Sequence, residues 1–165
     1  MELSPTTGLI GHDSWADGRL GNGSASRVVL NDYLLIDEFI GLSREERFRK
    51  LNSLGDEAAE FIRHLLPKAL TRFQNIILLT HVPPFKESCW HRGMVSDDEY
   101  LPHFSCKSFG DALADTMKHR PESHLTVLCG HTHSKGEATI LPNLHVKTGE
   151  AEYSYPRVQE VIEIE

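Results

Sequence analysis

Three histidines stand where side chains can do chemistry. His81 ends the run Asn75-Ile76-Ile77-Leu78-Leu79-Thr80 and is followed by Val82-Pro83-Pro84, while His131 and His133 flank Thr132 directly after Leu125-Thr126-Val127-Leu128-Cys129-Gly130. Imidazole is a good ligand for Zn, Fe, Mn or Ni, and a His-x-His step in extended chain puts both rings on one side. Gly130 permits a close backbone approach. The chemistry expected of these positions is the binding of a divalent transition metal, Mn, Fe, Zn or Ni, by His81, His131 and His133. The ten histidines of the chain make chance placement common, and His64 and His119, with no such context, read as surface or hydrogen-bonded residues.

The elements that must position these groups are two dense apolar runs, each long enough for a buried strand and each stopped abruptly by Pro-Pro or Gly-His. Strand ends in α/β folds are where loops project side chains from a rigid sheet. A further strand is read at Thr7–His12, a short one at Val28–Leu30, and others at Ala138–Leu141, Leu144–Lys147 and Val158–Ile164, the last from its alternation of apolar and acidic residues. Tyr33–Ile36 fits a strand or a buried helical segment equally. Ser43 and Glu46 form a capping-box signature, followed by Phe48, Leu51, Leu54, Ala58, Phe61, Ile62 and Leu65 at helical spacing. Gly55 and Pro67 leave one helix and a broken pair ending near Phe73 both open. Phe109–Met117 returns to helical spacing. The stretch from Phe85 to Cys106 lacks periodicity and reads as a functional surface loop.

Composition narrows the class. The chain has 165 residues, 39% hydrophobic and 25% charged, which fits one globular domain over 1–165. Seventeen basic against 24 acidic residues give a net charge of −7, and no basic run marks a nucleic-acid-binding surface. No apolar stretch is long enough to span a bilayer, and Met1-Glu2-Leu3-Ser4-Pro5 has no leader character, so a cytoplasmic address is expected. Cys89, Cys106 and Cys129 form no close pair and read as buried thiols; Cys129 has no assignable base to make it a nucleophile.

Leu78-Leu79-Thr80-His81-Val82-Pro83-Pro84, followed by Val127-Leu128-Cys129-Gly130-His131-Thr132-His133, resembles the last two metal-binding motifs of the calcineurin-like metallophosphoesterase superfamily. The resemblance covers about Asn75 to Val146. It implies an α/β fold, a partial αββα sandwich with a mixed sheet, of which this chain is the carboxy-terminal part. It also implies a phosphate-ester substrate, hydrolysed at phosphomono- or phosphodiester bonds by a metal-activated water. Carried over, His81 and His131 bind one metal and His133 the other, and the ions clamp phosphate oxygens and lower the pKa of a bridging water.

The departures matter more than the match. The family's opening Asp-x-His is absent, so its bridging Asp and its general-acid His have no counterpart and no catalytic acid is assigned. Gly11-His12-Asp13 follows a strand, but glycine stands where the family has an Asn ligand. Asp13-Ser14-Trp15-Ala16-Asp17-Gly18-Arg19 resembles a loop that some bacterial members carry, which makes His12 and Asp13 candidates to flank the pocket. In the loop after His81, Trp90, His91 and Arg92 are candidates to contact substrate, Arg92 through bidentate oxyanion bonds; a packed loop anchored by Trp90 is the plainer alternative.

Three functions follow. The first is a metallophosphoesterase with an incomplete dinuclear site, as a truncated chain or half of a split protein. The second is a non-catalytic metal-binding or protein-interaction module. The third is a mononuclear zinc hydrolase with Asp13 or Glu150 as base. A sheet lacking its second layer is expected to need a homo-oligomer or an amino-terminal partner fragment to cover its apolar runs.

Overall fold

The computed structural model describes residues 1–164. Its elements run in chain order as β1 (Thr7–Gly11), α1 (Asp32–Leu35), α2 (Arg44–Leu70), β2 (Asn75–Leu79), β3 (Trp90–His91), β4 (Met94–Val95), α3 (Leu101–Phe104), α4 (Lys107–Lys118), β5 (His124–Cys129), β6 (Gly136–Leu141) and β7 (Leu144–Thr148). The protein is mixed α/β. A five-stranded mixed sheet has the order β1-β2-β5-β7-β6, and β3 and β4 form a small separate antiparallel ladder. Strands β1, β2, β5 and β7 are mutually parallel, and β6 returns antiparallel at the edge.

Strand β2 alternates in burial. Ile76 and Leu78 are enclosed while Leu79 is 45% exposed, and β5 repeats the pattern with Leu125 and Val127 enclosed. The enclosed residues meet α2 and α4 in one core with Ile62, Leu66, Phe109 and Leu113. Each such side chain contributes roughly 1.5–3 kcal/mol when fully buried. On the opposite face, Leu9, Ile77 and Thr126 lie in register with His145 and Thr139, and Leu79 and Leu128 with Lys147 and Glu137. That face grades from apolar at β1 and β2 to polar at β7 and β6.

Helix α2 begins at its capping box: Ser43 N–H donates to Glu46 Oε2 (2.9 Å), and Glu46 N–H donates to Ser43 Oγ (3.3 Å). It continues unbroken through Gly55 and Pro67. At residue 55 a Cβ would lie 2.4 Å from Asp17 Cβ, so glycine answers a close approach rather than a break. Pro67 lies one turn from the helix end, where its missing N–H deprives only the Arg63 carbonyl.

Two expected strands are absent. Residues 28–30 are irregular and run into α1, whose Tyr33 is enclosed while Leu34 and Leu35 are exposed. Leu30 packs against the cluster of Tyr33, Phe39 and Leu51 instead of pairing. Residues 158–164 also form no ladder. They cross the open face of the sheet: Val158 and Ile162 wall a cavity of about 350 Å³ with Leu128 and Lys147, and Ile164 lines another with Ile77 and Thr126. Val158 and Val161 keep more than 80% of their surface in solvent, at 82% and 81%. Lys147 Nζ pairs with Glu160 Oε1 at 2.7 Å, and the Gln159 amide takes the place of a backbone partner to Glu150. The loop after His81 is partly ordered into a 3-10 turn at Lys86–Ser88, β3, β4 and α3. Among the described residues no helix is long and apolar enough to cross a membrane, and all three cysteines are free and buried.

Candidate active site

Parallel pairing brings the carboxyl ends of β1, β2 and β5 together, and the pairing extends one residue beyond each ladder. His12 N–H donates to Leu79 O (3.0 Å), Thr80 N–H to Leu128 O (3.0 Å) and Gly130 N–H to His81 O (2.9 Å). These bonds place His12, His81 and the Gly130–His133 turn at one end of the sheet.

His81 and His131 meet directly, with His81 Nε2 3.0 Å from His131 Nδ1. His131 Nε2 lies 3.2 Å from the His103 carbonyl oxygen. A carbonyl only accepts, so the proton sits on Nε2 and the Nδ1 lone pair faces His81. Burial, then the neighbouring His81, pushes His131 down to about 4. Burial also lowers His81, against the opposing pull of Asp32 and Asp13. Both rings are therefore neutral near pH 7, the form that ligates metals.

Aromatic groups hold the pair. The Trp15 indole stacks on His81 (5.4 Å, 15°) and meets His131 edge-on (5.3 Å), while Phe104 meets the other side of His131 (5.3 Å, 87°). Trp15 is fixed by its loop: Ser14 Oγ is 2.7 Å from Thr80 Oγ1, and Asp17, fully enclosed, ties the loop to two helices. Asp17 Oδ2 accepts from the Ser108 N–H in the first turn of α4 (2.8 Å). Arg19 bridges Asp17 at 3.3 Å to Asp56 of α2 at 2.8 Å. Gly18, at φ +72°, makes the turn and lies against Phe48.

The His-x-His step is not extended. His131 and His133 both have positive φ, +67° and +58°, a conformation costly for non-glycine residues, about 1–3 kcal/mol each. They bracket the enclosed Thr132, whose N–H donates back to Gly130 O (2.8 Å). The two rings part as a result: His131 turns to His81, and His133 packs against Tyr153 (4.9 Å).

The flanking candidates divide. His12 accepts the Ser14 N–H at Nδ1 (2.9 Å), so its Nε2 carries the proton, and with Asp13 and His81 it lines an open depression. Trp90 lies against Gly136, where a Cβ would come 2.1 Å from its ring, an anchoring role. His91 sits between Tyr100 (5.0 Å) and Phe104 (5.1 Å), with Nδ1 3.4 Å from Thr132 O; it supports the turn that carries His131. Arg92 is exposed at φ +52°, its N–H donating to Ser134 Oγ (2.8 Å). Glu150 is tied to Arg157 (3.0 Å) and Gln159.

One group of residues was invisible in the sequence. His103, enclosed in α3, accepts from Tyr33 Oη at Nδ1 (2.7 Å) and donates from Nε2 to Ser26 Oγ (2.9 Å), which donates to Glu99 O (2.7 Å). Every member is satisfied with a neutral ring, which burial, then Arg47 and Arg44, hold down at about 4. The same residue's carbonyl orients His131.

With the His81 proton moved from Nε2 to Nδ1, the spacing is compatible with one half of a metal site. Two nitrogens 3.0 Å apart, at metal–nitrogen distances of about 2.1 Å, subtend roughly 90°, and the other nitrogen of His131 donates to a carbonyl, as is usual for ligating histidines. A third donor does not converge: among the described residues no group of three or more His, Cys, Asp or Glu is arranged to hold a metal ion. No family model, curated protein or solved structure matches this chain.

Proposed function

We propose that this protein is a metal-dependent phosphoester hydrolase of the metallophosphoesterase type, its sheet being one layer of a partial αββα sandwich. The observation that carries the reading is the neutral His81–His131 pair at the carboxyl ends of parallel strands, with its second-nitrogen proton directed to the His103 carbonyl. These two residues would hold the ion. When bound there, a divalent metal supplies a Lewis acid and lowers the pKa of a coordinated water. His12, with its proton on Nε2, offers a donor to a phosphate oxygen in the depression it shares with His81. Asp13, which lines the same depression, offers a carboxylate to serve as proton acceptor. Trp15 packs on both rings of the pair and Phe104 on His131.

A second reading, a non-catalytic metal-binding module, is favoured by the departure of His133 toward Tyr153. One titration with Mn²⁺ or Ni²⁺, followed by assay on bis-p-nitrophenyl phosphate, separates the two. The hydrolase reading expects one ion per chain and slow turnover, about 10²–10⁴ below an enzyme with its general acid in place. Both must vanish in His81→Ala/His131→Ala. Metal retained without turnover selects the module, and binding indifferent to the double variant rejects both.

A further inference from the structure

Beside the histidine pair lies a cavity of about 320 Å³ whose walls are aromatic and aliphatic, Trp15, Ile36, Phe39 and Leu54. Its rim is acidic: Asp13, Glu38 and Glu57. The Trp15 and Phe39 rings lie 6.2 Å apart, tilted by 33°. The cavity shares His12 and Asp13 with the depression at His81, and Trp15 stacks on His81 itself.

Among the described residues, no Lys or Arg pairs with these carboxylates. Glu57 accepts only from Ser53 Oγ (3.1 Å), and Asp13 faces His12 Nδ1 at 3.7 Å, a nitrogen whose lone pair is already engaged by the Ser14 N–H. Glu38 forms no ion pair among the described residues. Among the described residues, no Lys or Arg lines the cavity. A phosphate group would be repelled there, whereas a cation gains from three carboxylates and from two aromatic faces. A strongly hydrated metal ion gains nothing from Ile36, Phe39 and Leu54; an alkylated ammonium matches both wall and rim.

We propose that this cavity binds an organic ammonium group, and that in the phosphoesterase reading, on which this second part rests, the ammonium belongs to the leaving alcohol of the ester. The phosphorus–oxygen bond to that alcohol breaks, water supplies the new oxygen on phosphorus, and the released amino alcohol takes up one proton.

Binding is tested without metal or turnover, by titrating the full chain with choline and with its neutral isostere 3,3-dimethylbutan-1-ol, read by Trp fluorescence and by protein NMR shifts. Choline is expected to bind at least about tenfold more tightly than the isostere, the scale of a cation–π contact plus rim charges. Glu38→Gln/Glu57→Gln should remove that preference while leaving the isostere's affinity intact. Equal affinity for the two probes, or a preference that survives in the double variant, overturns the cavity's assignment. The substrate part is read separately, as the ratio of phosphocholine to p-nitrophenyl phosphate hydrolysis. Turnover of p-nitrophenyl phosphate with no preference for phosphocholine rejects the leaving-group assignment alone, and absence of turnover on both rejects the phosphoesterase reading while the binding result stands.

Discussion

The two faces of the five-stranded sheet have been solved in different ways. Under α2 and α4, Ile76, Leu78, Leu125, Val127, Leu144 and Val146 are at most 1% exposed. On the other face, residues 158–164 lie across Leu128, Thr126 and Ile77 without a hydrogen-bonded ladder, and Leu79 stays 45% exposed. One layer of helices is enough to close a core; parallel sheets ordinarily have two. The candidate site belongs to the closed side, because its loop is fastened to α2 and α4 through Asp17 and Arg19.

Neighbouring residues of one strand give the sharpest contrast. Leu78→Ala should cost about 3 kcal/mol, and Leu79→Ala less than about 1 kcal/mol, measured by urea unfolding. Similar losses would mean that the open face is as tightly packed as the covered one. A weaker effect probes the polar burial under α2. His103 is held near 4 in the fold against 6.5 when unfolded, so the unfolded chain binds the extra proton between these values. Stability is full above about pH 6.5 and is lost as pH falls toward 4; at pH 5 the deficit relative to pH 7 is about 2 kcal/mol for this residue. Chemical denaturation at the two pH values tests it, and a His103→Gln variant with an unchanged deficit would place the proton elsewhere. The smallest effect belongs to the open face: Val161→Ser, at a position 81% exposed, should fall within about 0.5 kcal/mol of the parent. A larger loss would show that the crossing segment is packed, and the contrast between the faces would narrow.

Much of this was legible because the chain marks it twice. Each site strand is a dense apolar run, and each is terminated by residues unable to continue a ladder, so β2, β5 and the placement of His81 and His131 followed from local pattern. Residues 158–164 carry the alternation of a strand, yet alternation says nothing about whether an edge is free to pair. Pro67 looked like a stop because its consequence depends on how many residues follow, and only three do. The parting of His131 and His133 could not be read from the spacing, since both φ signs fit the same letters. His103 had no signature at all: its partners Ser26 and Tyr33 are 77 and 70 residues away, and only tertiary packing assembles them.

The clamp at Asp17 has a kinetic meaning. The Ser108 amide bonds a carboxylate 91 residues distant, and that carboxylate is also bridged to α2. The amide cannot exchange with solvent while the Trp15 loop is docked, and releasing the loop breaks bonds to both helices at once. Opening at the histidine pair is therefore a sub-global event rather than a local flutter. A single backbone proton in α4, followed by deuterium uptake, reports how often the imidazole pair loses its indole cover.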